Sequence, residues 1–490
     1  MHAMRLSDLL GQDATGRLSD ADKAVDIVGL TADSRTVAPG YLFAALPGAK
    51  ADGARFIAEA RARGAVAILG SAGAVPADAG VVLSDRNPRR AFALLAARFY
   101  APQPDTVAAV TGTNGKTSVA SFTRQIWERL GRKSASIGTL GIVTVDAAES
   151  FGLTTPDPVV LHRALAGLKA QGIEHVAMEA SSHGLAQYRL DGVRLEAAAI
   201  TNITHDHLDY HGTFADYTYA KLRLLGELLR PGAAAIINAD ADIAQEAEAL
   251  AWARGHRVMT VGQAGRTIRL EARVPERSGQ RLSVLYNGRA TVIALPLAGL
   301  FQASNALVAA ALAIGTGAEA AAVFASLEHL KGAPGRLELV ASLAGCAPIY
   351  VDYAHTPDAL ATVLDALRPH VRGRLHVVFG CGGDRDRSKR PEMGRIAVAK
   401  AERVIVTDDN PRTEDASAIR AEILAAAPGA LEIADRAEAI AEAIEGLAPE
   451  DCLVVAGKGH ETGQIIGDKT IPFNDADEIR RAVAEREQRS

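Results

Sequence analysis

Short apolar runs alternate with longer stretches of helical periodicity through the middle of the chain. The runs read TVAAVTG, HVAMEAS, AAAITNIT and AAAIINAD, and they begin at Thr106, His175, Ala197 and Ala233. Strands that are buried on both faces of a parallel sheet show continuous apolar runs rather than strict alternation. The pattern therefore predicts an α/β unit whose parallel sheet is covered by helices on both faces.

The last third of the chain repeats this alternation. Its apolar runs are PIYVDY, RLHVVFG, RVIVTDD and DCLVVAG, separated by helical segments such as TPDALATVLDAL and ASAIRAEILAAA. This pattern predicts a doubly wound, Rossmann-like sheet, in which ligands bind outside the carboxyl ends of the strands. Polar clusters follow the four strands, at residues 352–355, 382–387, 408–412 and 457–461. We expect these four loops to line one crevice.

Two breaks rich in Pro or Gly divide the chain, YAPQPD at residues 100–105 and GAPG at residues 332–335. Each lies between a helical pattern and a new strand pattern. At about 150 residues per domain, a chain of this length has room for three domains. We therefore predict an α/β protein with an N-terminal domain at 1–102, a central domain at 103–334 and a C-terminal domain at 335–490.

Composition and charge narrow the class of protein. The chain of 490 residues is 48% hydrophobic and 23% charged, and its net charge of -5 argues against nucleic acid or an anionic membrane as a partner. Its three cysteines have no CxxC spacing, which indicates neither a disulfide framework nor a zinc ribbon. No signal-peptide pattern and no run of about 18 apolar residues is present. We expect a cytoplasmic protein that does not insert into membranes.

The clearest chemical motif is TGTNGKTS, which follows the run TVAAV. Its residues are Thr111, Gly112, Thr113, Asn114, Gly115, Lys116, Thr117 and Ser118. A strand, a Gly-rich turn and a helix start place backbone N–H groups around an anion. Lys116 would contact the β- and γ-phosphates of a nucleotide, and Thr117 would offer its hydroxyl to a magnesium ion. The strict GxxxxGK[ST] form would need glycine where this chain has Val110, so the standard pattern is not met.

The same motif resembles that of the Mur ligase family and of its relative folylpolyglutamate synthase, which form amide bonds with ATP. MEASSHGL, TNITHDHLDYHG, YAKLRLL, FQASNALVAA, APGRLE and VDYAHTPDAL look like further blocks of that family, in family order. At the amino end, TADSRTVAPGYLFAALPGAKADGARFI resembles the UDP-sugar-binding domain of the diaminopimelate-adding branch. The resemblance covers essentially the whole chain, and it implies a central P-loop-type ATPase domain.

The resemblance implies roles around ATP and Mg²⁺. Thr117 and Glu179 share the magnesium ions, and Lys221 is carbamylated and binds the second ion. Carbamylation needs a neutral amine, so the pKa of Lys221 would have to be lowered by burial or nearby cations. Lys116, Lys221 and His205 are the implied catalytic residues. The other implied nucleotide contacts are Asn202, Asn305 at the start of a helical pattern, Arg336 and Asp352, with His355 as a companion.

The resemblance also implies the substrates. DDNPR at 408–412 looks like the signature of the branch that adds meso-diaminopimelate to UDP-N-acetylmuramoyl-L-Ala-D-Glu. Diaminopimelate carries a carboxylate that lysine lacks, and the guanidinium of Arg412 can hold it bidentately. The implied amino-acid site also includes Arg385, Asp409, Asn410, Pro411, Gly457 and Glu461. The implied UDP-sugar dipeptide site comprises Ser34, Lys50, Thr154, Thr155, Ser181, Gln187 and Arg189. We expect the enzyme to be a monomer.

Several alternatives stay open at this point. Glu179 could be a solvated strand-end carboxylate, Lys221 a surface lysine, and the residues of the amino-acid site turn or capping residues. The histidines of THDHLDYHG could bind zinc, and Ser181 beside His183 could suggest a hydrolase, although no GxSxG elbow is present. Related ligases that add L-lysine, another amino acid or glutamate to folate, a nucleotide-gated switch and a dehydrogenase with GCGGDR as its fingerprint are the rival functions.

Overall fold

The computed structural model describes residues 3–11, 18–48, 52–73, 75, 80–149, 152–343 and 347–489. The chain divides into two compact units, one comprising Met1–Lys116, Gly131–Ile236 and Asp242–Val258, the other Thr117–Leu130, Ile237–Ala241 and Met259–Ser490. No helix of the described ranges combines the length and apolarity needed to cross a membrane.

The amino-terminal hundred residues form a small α/β layer. Its elements are β1 Met4–Arg5, α1 Leu6–Leu10, α2 Asp20–Lys23, β2 Asp26–Ile27, β3 Gly29–Thr31, β4 Tyr41–Ala45, α3 Ile57–Ala62, β5 Ala67–Ser71, β6 Val81–Asp85 and α4 Pro88–Phe99, with 3-10 turns at Ser34–Thr36 and Gly53–Phe56. Strands β3 to β6 pair in parallel in sequence order. Phe43 and Ile68 pack with α3 on one face, and Leu42 and Leu69 pack with α1 and α4 on the other.

The middle of the chain carries the second set of elements. They are β7 Thr106–Thr111, α5 Lys116–Arg129, β8 Ser134–Gly138, β9 Gly141–Val143, β10 Ala148–Glu149, α6 Pro158–Ala170, β11 His175–Glu179, α7 Ser182–Ala186, β12 Leu195–Ile200, α8 Leu208–His211, α9 Phe214–Arg223, a π-helical turn Leu224–Leu228, β13 Leu229–Asn238, α10 Ala244–Ala253, β14 Arg257–Gly262, β15 Ile268–Pro275, β16 Gln280–Tyr286, β17 Arg289–Leu295, α11 Leu300–Gly315 and α12 Ala320–Leu327.

In the first unit these strands run in the order β10-β9-β8-β11-β7-β12-β13. Strands β8, β11, β7 and β12 are parallel, and Val110 of β7 lies opposite Glu179 of β11 and beside Ala199 of β12. The carboxyl ends of three neighbouring strands therefore lie level, so the residues that follow them are brought together. In the second unit, β15, β16 and β17 form an antiparallel meander that the sequence analysis did not predict.

The C-terminal stretch forms a sheet of six strands. Its elements are β18 Glu338–Leu343, β19 Ala347–Asp352, α13 Pro357–Leu367, a 3-10 turn Arg368–His370, β20 Leu375–Phe379, α14 Lys389–Lys400, β21 Arg403–Val406, α15 Ala416–Leu424, β22 Leu431–Glu432, α16 Arg436–Glu445, β23 Cys452–Ala456, the hairpin β24 Gly463–Ile466 and β25 Lys469–Pro472, and α17 Asp475–Arg489. The strand order is β18-β19-β23-β20-β21-β22, with β18 antiparallel and the rest parallel.

Neighbouring residues of these strands face two different cores. Val377 and Val454 pack against α13, α14 and α15, whereas Val378 and Val455 pack against α16 and α17. Helices therefore cover both faces, which is why the strands read as unbroken apolar runs. The predicted doubly wound sheet is confirmed, and the bounds of its four predicted strands agree with the sequence within a few residues.

Candidate active site

The Gly-rich loop that follows β7 is hydrogen-bonded to the segment that follows β12. Gly112 adopts φ +152°, and a Cβ there would lie 1.9 Å from Thr201 Oγ1, so only glycine fits. The N–H of Thr113 donates to the Asn202 carbonyl at 2.8 Å, and the N–H of Asn114 donates to Asn202 Oδ1 at 3.0 Å. Two hydrogen bonds therefore connect Asn202 to the loop. The chain enters α5 at Lys116, with Thr117 and Ser118 buried in its first turn.

Two lysine side chains converge on this loop. Lys116 Nζ donates to the carbonyls of Gly112 and Thr113, each at 2.8 Å. Lys221 Nζ donates to the same Gly112 carbonyl at 2.7 Å and lies 4.6 Å from the centre of the Tyr217 ring. Both basic side chains therefore contact the same carbonyl of the loop.

Lys221 is not the surface lysine that its position on a helix would suggest, because only 1% of it is exposed. Burial, and then the charge of Lys116, lower the pKa of Lys221 well below its ordinary value. Both effects disfavour the ammonium form. The shift is in the direction that carbamylation requires.

Glu179 ends β11 and is not a solvated carboxylate, since 2% of it is exposed. Its two oxygens accept hydrogen bonds from Thr139, one from the backbone N–H at 2.8 Å and one from Oγ1 at 3.2 Å. A Cβ on Gly138 would lie 2.1 Å from Glu179 Oε1. The carboxylate is therefore fixed in one orientation by the end of β8. Thr139 was missed by the sequence analysis, since a lone threonine after a strand gives no signal.

The residues expected to bind the dipeptide form a connected wall beside Glu179. Thr155 Oγ1 donates to the Glu179 carbonyl at 3.0 Å and accepts from the Ser181 N–H at 3.0 Å. Arg189 donates to the Thr155 carbonyl at 2.6 Å and to Gln187 Oε1 at 2.8 Å. Hydrogen bonds thus join four of the five residues expected to bind the dipeptide, namely Thr155, Ser181, Gln187 and Arg189.

Thr154, the fifth, hydrogen-bonds Thr139 through the two hydroxyls at 3.1 Å. Ser181 Oγ accepts from the N–H of Gly184 at 3.1 Å and so caps α7, which accounts for a serine at this position without a nucleophilic role. Gln187 donates to the Tyr210 hydroxyl at 2.9 Å.

The histidines of THDHLDYHG lie near this wall. The His183 ring centre is 5.0 Å from that of His207 and 5.5 Å from that of His211, and burial lowers the pKa values of His183 and His211. His205 stacks on Phe214 with ring centres 4.5 Å apart. Among the residues that the structure describes, no three or more His, Cys, Asp or Glu side chains are grouped as metal ligands. The zinc alternative therefore has no support.

In the amino-terminal layer, Ser34 is buried and its hydroxyl donates to Glu59 Oε2 at 3.0 Å. Lys50 lies outside the described residues.

The four C-terminal loops come together at the carboxyl edge of the sheet. The N–H of Gly457 donates to the Asp352 carbonyl at 3.1 Å, which joins the loops after β23 and β19. Gly457 has φ +115°, and a Cβ there would lie 2.6 Å from Asp409 Oδ2. Asp409 is buried and burial raises its pKa, with Arg436 and Lys458 opposing the shift.

Asn410, Lys458 and Glu461 form a triangle of hydrogen bonds. Lys458 Nζ donates to Asn410 Oδ1 at 3.0 Å and to Glu461 Oε2 at 3.1 Å, and Asn410 Nδ2 donates to Glu461 Oε2 at 2.9 Å. Lys458 is fully buried, so its charge stabilises the carboxylate in place. The sequence analysis missed Lys458, although a lysine between Gly457 and Gly459 directly after a strand was a signal.

Arg412 lies against the glycines that follow β20. Its φ is +52°, and its Nη1 donates to the carbonyls of Gly383 at 2.8 Å and Asn410 at 3.3 Å. A Cβ on Gly383 would lie 1.9 Å from the Pro411 carbonyl oxygen. The glycines of GCGGDR thus give room to the NPR segment, which accounts for them without a dinucleotide. Arg385 is exposed and donates to the Asp384 carbonyl at 3.2 Å.

Asp352 and Arg336 organise the segment that leads into the C-terminal sheet. Asp352 accepts hydrogen bonds from the N–H groups of Leu337 at 2.7 Å and Ala354 at 2.8 Å. Burial raises the pKa of Asp352 to about 6, with the charge of Arg336 opposing the shift. The Arg336 guanidinium lies 4.6 Å from the centre of the Tyr353 ring.

Asn305 is connected to the same segment. Its Nδ2 donates to Gln302 Oε1 at 3.4 Å, and Gln302 Nε2 donates to the Arg336 carbonyl at 2.8 Å. The expectation that Asn305 begins a helix is wrong, because α11 begins five residues earlier at Leu300. Gln302 and Ala303, which precede Asn305, are already buried residues of that helix. His355 is exposed, and its Nδ1 lies 2.8 Å from the Tyr353 carbonyl.

Three family models match the chain. The Mur ligase middle domain matches residues 110–313, the Mur ligase glutamate ligase domain matches residues 335–459, and the Mur ligase family catalytic domain matches residues 26–100. These matches cover the phosphate loop, the NPR segment and the amino-terminal layer respectively. Together with the relatives below, they place the chain in the Mur ligase family, to which it belongs.

Curated relatives of high identity carry one name, UDP-N-acetylmuramoyl-L-alanyl-D-glutamate--2,6-diaminopimelate ligase. The protein of that name from Bradyrhizobium diazoefficiens is 57% identical over 99% of this chain and 100% of its own length. Its counterpart from Caulobacter vibrioides is 51% identical over 96% of this chain and 99% of its own. The similarity to proteins of this name therefore runs from end to end.

Solved structures agree. One of a protein with that same name aligns with a TM-score of 0.76 and 32% identity, covering 99% of this chain and all of that chain. A MurF ligase from Thermotoga maritima in complex with ADP aligns at 0.60 and 18% identity over 94% of this chain and 98% of its own, a likeness of fold alone. The predicted family and the three-domain α/β fold class are confirmed. The exact domain boundaries and the role of each site residue stay predictions.

Proposed function

We propose that this protein uses ATP to join meso-diaminopimelate to the D-glutamate of UDP-N-acetylmuramoyl-L-Ala-D-Glu. One observation carries the proposal beyond the relatives' shared name. Lys116 and Lys221 converge on the Gly112 carbonyl at the phosphate loop, one of them buried with a lowered pKa. Lys116 supplies a positive charge for the phosphates, and the lowered pKa of Lys221 favours the neutral amine that could become a carbamate.

The first step is transfer of the γ-phosphoryl group. The D-glutamate side-chain carboxylate attacks the γ-phosphorus of ATP, the β–γ bond breaks, and ADP leaves with an acyl phosphate formed on the substrate. Lys116 would neutralise charge on the phosphates during this transfer. Asn202 would keep the loop open for them, and the wall of Thr155, Gln187 and Arg189 would hold the dipeptide.

The oxygen donors near the loop fit Mg²⁺, which prefers oxygen ligands. Glu179 is a fixed carboxylate, Thr117 offers a hydroxyl, and Lys221 would become an anionic ligand after reaction of its neutral amine with CO₂. When bound, Mg²⁺ would offset the negative charge on the phosphates and the carboxylate.

In the second step the amine at the L-centre of diaminopimelate attacks the acyl carbonyl, and phosphate leaves from the tetrahedral intermediate. Arg412 would hold the distal carboxylate, and Glu461 would accept from the distal ammonium. The Asn410–Lys458–Glu461 triangle supports this assignment, because it fixes the Glu461 carboxylate before the substrate arrives. Arg385, exposed beside this crevice, would meet the incoming amino acid. A monomeric state and a cytoplasmic location remain predictions from the sequence.

The test is phosphate release with ATP and the UDP dipeptide as a function of the added amino acid, with the product mass confirming the tripeptide. We expect turnover with meso-diaminopimelate and little with L-lysine. Arg412→Ala should lower kcat/KM for meso-diaminopimelate roughly 10- to 150-fold, the loss of about 1.5–3 kcal/mol from a charge-assisted contact. Arg387→Ala removes a mostly exposed guanidinium of the neighbouring loop, which is paired with Glu422, and serves as the control. Equal turnover with L-lysine would exclude the role given to Arg412.

A further inference from the structure

Lys221 is not the only buried basic side chain at the end of α9. Arg223, two residues further on, is 5% exposed and projects toward a different part of the fold. Its Nη2 donates to both oxygens of Asp191, at 2.7 and 2.8 Å, and its Nη1 donates to the Leu185 carbonyl at 3.0 Å. The helix therefore contacts the phosphate loop through one basic side chain and the α7 region through the next.

Asp191 ends the turn that carries two residues of the dipeptide wall, Gln187 and Arg189. The N–H of Asp191 donates to the Tyr188 carbonyl at 3.3 Å, and the Arg223 guanidinium lies 4.0 Å from the centre of the Tyr188 ring. Tyr188 has φ +58°, a strained conformation for a tyrosine, so contacts such as these must hold the turn. The turn that carries Gln187 and Arg189 is thus bonded to α9, the helix that also carries Lys221.

Asp191 is itself 2% exposed, and its carboxylate accepts one more hydrogen bond, from Arg90 Nε of α4 at 3.2 Å. Arg90 is more than half exposed, so Arg223 is the main partner of the carboxylate. The helix continues past Arg223 as a π-helical turn, in which His256 contacts the Leu225 carbonyl at 2.8 Å. Such turns occur often at functional sites.

We propose that Arg223 and Asp191 are a pair of positioning residues that hold Lys221 and the Gln187–Arg189 turn in fixed relation. The inference rests on the proposed function, since it assumes that Lys221 and this turn act on one substrate. Neither member touches the reacting atoms. Their effect is geometric, because an error of about 1 Å in the placement of reacting groups can lower a rate roughly 100-fold.

The test uses Asp191→Asn, which keeps the shape and removes the charge, and the double variant Arg223→Met with Asp191→Leu. The double variant avoids leaving an unpaired buried charge, so it separates folding from positioning. We expect both to raise the KM for the UDP dipeptide about tenfold or more and to make turnover depend on added bicarbonate. The KM for diaminopimelate should stay within about twofold, and calorimetry without ATP should show the same loss of UDP dipeptide affinity.

Arg90→Met is the matched control, because it removes the exposed partner of the same carboxylate and should change neither constant more than about twofold. If one of the two test variants has a melting temperature well below that of the wild type, the KM values and the dipeptide affinity are measured on the other test variant. Wild-type dipeptide affinity and no bicarbonate dependence in a variant with wild-type melting temperature would overturn the inference. Failure of the wild type itself to use diaminopimelate would instead overturn the proposed function.

Discussion

Single side chains take their chemistry here from the atoms that surround them, and Lys221 is the strongest case. Its amine is enclosed by Gly112 and Tyr217 and lies in the field of Lys116. The same lysine on an open helix surface would stay protonated at neutral pH and could not react with CO₂. Burial therefore turns a common residue type into a candidate metal ligand.

Replacement of Lys221 by alanine tests this role. We expect Lys221→Ala to lower kcat roughly 100-fold or more, because an anionic ligand near the phosphates is lost. A high concentration of a small carboxylate such as acetate should restore part of the activity by occupying the space of the carbamate. The same concentration of chloride is the control for ionic strength. Unchanged activity in the variant would remove the carbamate from the mechanism.

At the scale of elements, the end of one strand orients Glu179, the carboxylate proposed to bind Mg²⁺. Strands β8 and β11 are parallel neighbours, and Gly138 at the end of β8 leaves the space that the Glu179 side chain fills. A methyl group on residue 138 would lie 2.1 Å from Glu179 Oε1, too close for any real contact. A backbone feature of one strand thus sets the orientation of a side chain on the next.

Gly138→Ala should therefore raise the Mg²⁺ concentration required for half-maximal activity by about tenfold, because the carboxylate must rotate away from its hydrogen bonds to Thr139. Activity as a function of Mg²⁺ concentration measures the effect. Gly167→Ala, in the middle of α6 with open space around it, is the control. The control variant should gain about 0.5–1 kcal/mol in stability and keep the wild-type Mg²⁺ requirement.

The buried carboxylate of Asp352, in the segment that enters the C-terminal sheet, makes the stability of the protein depend on pH. The pKa of Asp352 rises from 3.8 to about 6 on folding, so between these values the folded protein binds more protons than the unfolded chain. Stability is then greatest below pH 4 for this group and falls by about 3 kcal/mol as the pH rises to 6. Above pH 6 the contribution is constant.

Asp352→Asn should abolish this contribution, so that its stability relative to the wild type increases between pH 4 and pH 6 and then levels off. Urea unfolding across this pH range measures the difference. Asp358→Asn replaces an exposed carboxylate of the following helix and should keep the wild-type profile. Parallel profiles for the wild type and Asp352→Asn would show that the ionised carboxylate is not destabilised by burial.

In the whole molecule, many of the residues expected to bind ligands lie at the carboxyl ends of parallel strands. The Gly-rich loop and Asn202 follow β7 and β12, Glu179 ends β11, and the residues expected to bind the amino acid follow four parallel strands of the C-terminal sheet. Polar residues collect there because the strands themselves are buried and their carboxyl ends open toward ligand. Ligand binding should therefore stabilise the folded chain as a whole.

Magnesium ADP at about 100 times its Kd should raise the stability of the wild type by about 2.7 kcal/mol, seen as a higher melting temperature. Lys116→Met should lose most of this shift, because the variant lacks the charge that meets the phosphates. Lys133→Met, which removes an exposed lysine, should keep the full shift. A full shift in Lys116→Met would place the nucleotide elsewhere.

The sequence by itself predicted strands β7, β11, β12 and β13 of the central sheet, strands β19, β20, β21 and β23 of the C-terminal sheet, the Gly-rich loop, the NPR segment and the family. Buried parallel strands need unbroken apolar runs, and loops that bind phosphate need glycine and lysine in fixed order, so both leave local signals. The antiparallel meander of β15 to β17 and the start of α11 were not predicted. The strands β15 to β17 have an alternating pattern, and the helical pattern of α11 has no clear local boundary at its start.

Only the tertiary structure decided which charged side chains are buried and what each contacts. Lys221 meets the Gly112 carbonyl across 109 residues of sequence, and Lys458 meets Asn410 across 48. Arg223 and Asp191 are 32 residues apart. No local pattern specifies such pairs, because the low dielectric and the partner that give each group its properties exist only after distant segments have packed together.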